Sequence, residues 1–158
     1  MNISVVIPVY NASEFLEKAV DSALQVNDVK EIVLIEDKST DNSLKMCQKL
    51  VPKDSRIKLY QHPDKENHGA GATRNLGLEK ASCEFISFLD SDEYYLPNRF
   101  DAEKEIFRDE KIEGVFGAIG VEYLTEKGKK EFEEKFKNIS LTTVNFAAEG
   151  NDVFLGLL

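Results

Sequence analysis

The chain has 158 residues, 42% of them hydrophobic and 31% charged, and a formal net charge of −9. That length suits one ordinary domain with a real core, and the acidic balance argues against nucleic acid or an anionic membrane as partner. A phosphorylated ligand would need glycine-loop amides, a few cations or a bound metal to offset the general repulsion.

Cys47 and Cys83 have neither metal-ligand nor disulfide-framework spacing and read as reduced packing residues of a cytoplasmic protein. No apolar run reaches the roughly 18 residues of a membrane span. The N-terminus lacks the basic start of a signal peptide.

In chain order, "ISVVIPVY" (3–10) is a β-branched, nearly continuous apolar run, as expected of a strand buried on both faces. "NASEFLEKAVDSAL" (11–24) follows with apolar residues at helical spacing, and Asn11 with Glu14 has the spacing of a capping box. "EIVLIED" (31–37) is the second strand, and "DNSLKMCQKLV" (41–51) is a helix that Asp41 can cap. "RIKLYQ" (56–61) is the third strand. A polar loop then leads to a helix near "ATRNLGLEKA" (72–81).

"CEFISFLD" (83–90) is the fourth strand, and "PNRFDAEKEIFRDE" (97–110) is a helix opened by Pro97. A further strand is expected over 114–124. "EKGKKEFEEKFKN" (126–138) reads as a charged helix or loop with a solvated face. "NDVFLGLL" (151–158) is an apolar run without a stop signal. The expectation is a single domain over 1–158 that forms the front portion of a longer protein, with 125–158 on the acceptor side.

Strands alternating with helices predict an α/β fold, a three-layer α/β/α sandwich around a mostly parallel sheet. Ligands of such sheets sit at the carboxyl ends of the strands. "YN" (10–11), "EDKSTD" (36–41) and "DSDE" (90–93) all fall there. In "HGAGATRN", Gly69 and Gly71 begin a dinucleotide fingerprint that fails at Arg74 and follows the wrong strand, which leaves a flexible glycine loop delivering Arg74 and Asn75. His62 and His68 read as isolated loop residues. Glu36 and Asp37 can accept N–H groups of a base or ribose hydroxyls, whereas Ser39 and Asp41 suit turn and cap chemistry. Asp90, Asp92 and Glu93 crowd negative charge onto one strand tip, which costs stability unless something positive sits among them. A D-x-D phosphatase of the haloacid-dehalogenase type would use Asp90 as nucleophile, but Tyr94 and the late strand fit that pattern poorly.

"VVIPVYN" (5–11), "EDKSTDNS" (36–43), "NHGAGATRNLGL" (67–78) and "FISFLDSDEYYLPNRF" (85–100), in this order, resemble the family 2 glycosyltransferases. The resemblance implies a GT-A-like nucleotide-diphospho-sugar transferase fold. It also implies an inverting sugar transfer from a nucleotide-activated donor, a UDP-sugar foremost, to a hydroxyl of a carbohydrate or lipid-linked acceptor. Pro8, Tyr10 and Asn11 would line the nucleotide pocket, and Asp37 would hydrogen-bond the base. Ser39, Gly71, Arg74 and Ser91 would join the nucleotide-sugar site, Asp90 would lie near ribose and sugar, and Asp92 would hold Mn²⁺ or Mg²⁺.

The family commonly has glycine where Lys38 stands, so Lys38 would crowd the base or contact phosphate. The base of an inverting transfer falls in a later Glu-Asp pair. Asp152 in "GNDVF" is the candidate within the chain, and the expectation is a base beyond Leu158. The alternative is a non-catalytic module that keeps the nucleotide-sugar pocket. The family implies a cytoplasmic location, at most peripheral to the inner membrane face.

Overall fold

The computed structural model describes residues 1–115, 121–135 and 137. The chain forms two compact units, Met1–Asp109 and Glu110–Leu158. The first contains β1 (Ile3–Val9), α1 (Leu16–Leu24), β2 (Val29–Glu36), α2 (Ser43–Leu50), β3 (Ile57–Gln61), α3 (Gly69–Lys80), β4 (Phe85–Phe88) and α4 (Asp101–Ile106). All strand pairings are parallel, in the order β3-β2-β1-β4. β1 and β2 are almost wholly buried, which accounts for their continuous apolar runs.

Alternation along the strands divides the core in two. Ile3, Val5, Ile7 and Val9 face one way and pack with Leu16, Ala19, Val20 and Ala23 of α1 and Cys47 and Leu50 of α2. The Cys47 thiol is pushed up to about 12, chiefly by burial, and has the inert packing role expected of it. Val6, Val33 and Ile35 face the other way, against Leu76 and Ala81 at α3. The sandwich predicted from the α/β alternation is therefore present.

Gly77 sets how closely α3 approaches the sheet. A Cβ built there would lie 2.2 Å from Val6 Cγ1, and Val6 is fully buried in the central strand. Gly77→Ala should therefore lower stability by about 1–3 kcal/mol, because overpacking outweighs alanine's better helix propensity. Urea denaturation measures this; an unchanged or raised midpoint would show that α3 shifts freely.

Several predicted boundaries move. The Asn11–Glu14 capping box does not form: Asn11 adopts φ 50, and α1 starts at Leu16 after Phe15, with no side-chain cap. Asp41 lies one residue before the N-cap of α2, Asn42, and accepts the Ser43 N–H at 2.8 Å. Pro97 sits in a turn and α4 begins at Asp101, after buried Phe100. α3 starts at Gly69, so the expected glycine loop is instead the helix's first turn.

In the second unit, α5 (Glu126–Lys135) bears out the helical reading of the charged run and buries no residue. Thr125 Oγ1 accepts the Gly128 N–H at 3.0 Å, and the Tyr123 and Phe132 rings meet edge to face at 5.6 Å. Of the strand expected over 114–124, Gly114, Val115 and Val121 to Tyr123 are irregular, and residues 116–120 lie outside the described residues. Asp152 and the run at 151–158 lie outside them too.

Candidate functional site

The carboxyl edge of the sheet holds a cleft of about 430 Å³. Pro8 explains where it opens. Val6 presents its carbonyl oxygen to the Leu89 N–H of the β4 side at 3.1 Å. Two residues on, Pro8 faces the same way beyond the last paired residue of β4, Phe88. A central strand accepts proline there because no partner remains to need its N–H. β1 and the chain after β4 then part, and Asp90, Ser91 and Asp92 line the opposite wall.

Two loops at this edge are stitched together by short polar side chains. Asn11 donates its N–H to Ser39 Oγ at 3.1 Å and accepts the Thr40 N–H on Oδ1 at 2.8 Å. Ala12 N–H donates to Ser43 Oγ at 2.8 Å, and Ser13 N–H to Asp41 Oδ2 at 3.1 Å. Hydrogen bonds from Ser43 and Ser13 hold the Asp41 carboxyl down at about 2. Buried Glu36 accepts the Ser39 N–H and the Gln61 amide, each at 2.6 Å. Much of "EDKSTDNS" therefore builds the platform. Lys38, at φ 58, occupies the left-handed backbone region that glycine fills at lower cost, and its ammonium pairs with Glu66. It is not among the residues that line the cleft.

Asp37 is 2% exposed, and its two oxygens accept the N–H groups of His68 at 2.8 Å and Gly69 at 2.9 Å. A strand carboxylate thus caps the start of α3, where the free N–H groups and helix dipole favour negative charge. That long-range contact begins the helix at the first of its glycines. Gly69 takes φ 79, a conformation only glycine adopts freely.

Of the residues expected in the site, Pro8, Tyr10, Asn11, Asp37, Arg74, Asp90, Ser91 and Asp92 line the cleft together. Ser39 and Gly71 do not: Ser39 works in the platform, and Gly69 and Ala70 face the cleft in Gly71's place. Phe15, Asn67 and Thr73 line it as well and were not anticipated. The Asn67 side chain donates to the Asp37 carbonyl oxygen at 2.8 Å. The N-x-G spacing of "NHG" was the available signal for Asn67; Phe15 read simply as helix core.

Among the described residues that line the cleft, Arg74 is the one cation, against the carboxylates of Asp37, Asp90 and Asp92. Its Nη2 lies 2.5 Å from Asp90 Oδ1. Asp92 has neither a hydrogen bond nor an ion pair among the described residues. Glu93 behind it has its pKa raised, first by partial burial and then by the charges of Asp90 and Asp92. Tyr95 anchors this loop: its N–H donates to Ser22 Oγ of α1 at 3.0 Å and its hydroxyl to the Phe88 carbonyl at 3.1 Å.

No group of three His, Cys, Asp or Glu side chains converges as a metal cage among the described residues. A lone free carboxylate suits instead a magnesium- or manganese-type ion that completes its shell with ligand phosphate oxygens and water. His62 and His68 are not isolated: His62 is buried, and their rings stack at 4.1 Å.

A parallel sheet with its cleft at the carboxyl edge, walled by an aspartate-rich turn, defines an α/β protein of the GT-A type. The chain belongs to glycosyl transferase family 2, whose profile matches residues 4–154. It is 40% identical over 102 residues to an uncharacterised glycosyltransferase of Haemophilus influenzae, covering 64% of this chain and 40% of that protein. The glycosyltransferase GlyG of Streptococcus pneumoniae is 32% identical over 116 residues, covering 73% of this chain and 38% of GlyG. Residues 1–349 of S. aureus TarS, solved in complex with UDP-GlcNAc, superpose with a TM-score of 0.60 at 27% identity, covering 78% of this chain and 37% of that one. The chain therefore spans about two-fifths of these relatives' length. Among the described residues no helix is long and apolar enough to cross a membrane.

Proposed function

We propose that this chain is the donor-binding portion of an inverting glycosyltransferase that takes a UDP-sugar together with Mn²⁺ or Mg²⁺. The observation that carries the reading is the charge of the cleft. Three lining carboxylates face one guanidinium, which is already paired with Asp90. Two N–H groups at the start of α3, those of His68 and Gly69, are already taken by Asp37 and are not available to phosphate. A diphosphate entering this cleft needs a divalent cation, and Asp92 is the carboxylate free to hold it.

In this reading Tyr10 at the rim, with Pro8 and Asn11, receives the nucleoside; Asp37 accepts an N–H of the base; Asp90 and Ser91 lie beside the ribose and sugar. The metal at Asp92 would stabilise charge on the departing nucleoside diphosphate. The general base that deprotonates the acceptor hydroxyl of a carbohydrate or lipid-linked acceptor would come from outside the described residues. The likeness to TarS, which binds UDP-GlcNAc, supports the choice of uridine.

Calorimetric titration with UDP tests the reading. With Mn²⁺ present UDP binds, and EDTA weakens binding by about a hundredfold or more, as expected when a contact of several kcal/mol is lost. Equal affinity with and without EDTA would overturn the metal-assisted site.

A further inference from the structure

Arg74 stands on α3, and Asp90 follows β4 at the start of the D-x-D turn. Their contact at 2.5 Å joins the helix to that turn, and both side chains line the cleft. The pair is open to solvent: its side chains are 36% and 45% exposed, against 3% for the Glu31 carboxylate that Lys58 engages. An ion pair so exposed contributes little to the fold. Neither member is tied elsewhere. Among the described residues, Asp90 is the one side chain that Arg74 bonds, and Arg74 is the one that Asp90 bonds.

The backbone behind each partner is fixed. Asp37 holds the start of α3, Gly77 seats its middle on Val6, and Tyr95 anchors the chain after the turn to Ser22 and Phe88. The pair can therefore open by side-chain rotation alone. A guanidinium binds phosphate through two parallel N–H···O bonds, a better match than the single carboxylate oxygen it meets here. Without metal, however, that exchange leaves Asp90 uncompensated beside Asp92 and the incoming anion, and like charges so close repel. A divalent ion at the turn removes the obstacle.

We propose that Asp90 masks Arg74, so that this cation reaches a diphosphate only when a divalent metal takes over the neutralisation of the D-x-D turn. On metal and diphosphate binding, Arg74 leaves Asp90 Oδ1 for a phosphate oxygen, and Asp90 is released to accept hydroxyls of the donor. The inference rests on the reading above, in which Asp92 holds the metal. It accounts for a cleft that needs metal although it carries an arginine.

The test is calorimetric titration of inorganic diphosphate in EDTA, where no metal can contribute. Asp90→Asn should bind it about tenfold or more tightly than wild type, the scale of one charge-assisted hydrogen bond. Asp90→Ala, which lacks any acceptor for Arg74, should gain at least as much. Asp92→Asn removes the same charge from the same turn but leaves Arg74 masked, so it should stay within about threefold of wild type. Adding Arg74→Met to Asp90→Asn should abolish the gain. The exposure of both side chains predicts that all these variants fold, which a thermal melt checks.

No gain in either Asp90 variant overturns the inference alone, as does a gain that survives Arg74→Met or an equal gain in Asp92→Asn. The first outcome would mean that Arg74 is not released, and the other two that bulk charge sets the affinity. A wild type that binds UDP equally with and without EDTA overturns the proposed function and this inference with it.

Discussion

Asp92→Asn is expected to remove metal-dependent UDP binding almost completely while leaving the fold at least as stable. The two parts have separate causes. Within the D-x-D turn, Arg74 engages Asp90 at 2.5 Å, whereas Asp92 lines the cleft with no cation paired to it among the described residues. On the proposed function, Asp92 is the cleft carboxylate without a protein partner among the described residues, so its loss would remove the protein's grip on the ion, and in a longer, active enzyme transfer should fall by about a thousandfold, from several kcal/mol of lost Lewis-acid stabilisation.

Stability moves the other way because the acids repel. Glu93 has its pKa raised by partial burial and by Asp90 and Asp92, so its ionised form is unfavourable in the folded chain. For an acid raised on folding, the penalty appears as pH climbs through the raised value. Neutralising Asp92 relieves part of that penalty at neutral pH. Calorimetry with Mn²⁺ and UDP, alongside a thermal melt without metal, checks both halves. A variant that retains EDTA-sensitive UDP binding would move the metal to another ligand.

The sequence revealed the architecture because the signals were local. Unbroken apolar character in 3–10 and 31–37 marks strands covered on both sides, and polar residues at successive strand ends mark the ligand edge. What it concealed was action at a distance. Asn11 has cap spacing, yet its partners are Ser39 and Thr40 on another loop. Asp37 is a strand-end acid in the sequence, but it caps a helix that begins more than 30 residues later. That contact turned an expected glycine loop into a helical turn. His62 looked like loop composition because its environment, Thr73, Asp37 and His68, is assembled only by folding. Gly77 carries no local signal that distinguishes it from Gly71, and only the position of Val6 tells them apart.

The second large effect concerns Glu31, at the amino end of the sheet and remote from the cleft. Its side chain is almost fully buried, and four donors converge on its two oxygens. Oε2 accepts the Ser4 hydroxyl at 2.5 Å and the Ser82 N–H at 2.8 Å. Oε1 accepts the Lys58 ammonium at 2.5 Å and the Ser82 hydroxyl at 3.0 Å. Burial alone would raise its pKa, but the bonds from Lys58, Ser4 and Ser82 together outweigh burial and lower it to about 2.

Because the folded value lies below the ordinary 4.5, the stabilisation is complete above that pH and is lost as pH falls towards 2. Its size is about 3 kcal/mol. Glu31→Gln should cost about that much at pH 7, since an amide nitrogen cannot accept from the donors it would face. The gap between wild type and variant should close between pH 4.5 and 2. Urea denaturation across that range measures it, and a constant gap would show that shape rather than charge matters at this site.

The consequence reaches the cleft through α3. Glu31 holds Ser82 just past the end of that helix, and Asp37 holds its start, so two carboxylates of one strand and its extension fix both ends. Gly77 lets the middle settle on Val6. Thr73 and Arg74 are carried by this helix, so their positions at the cleft depend on the same three contacts. Glu31→Gln, measured where it is still folded, should therefore bind UDP with wild-type affinity if Asp37 and Gly77 suffice to place α3. Weakened binding in the folded variant would mean that the far end of the helix also tunes the site.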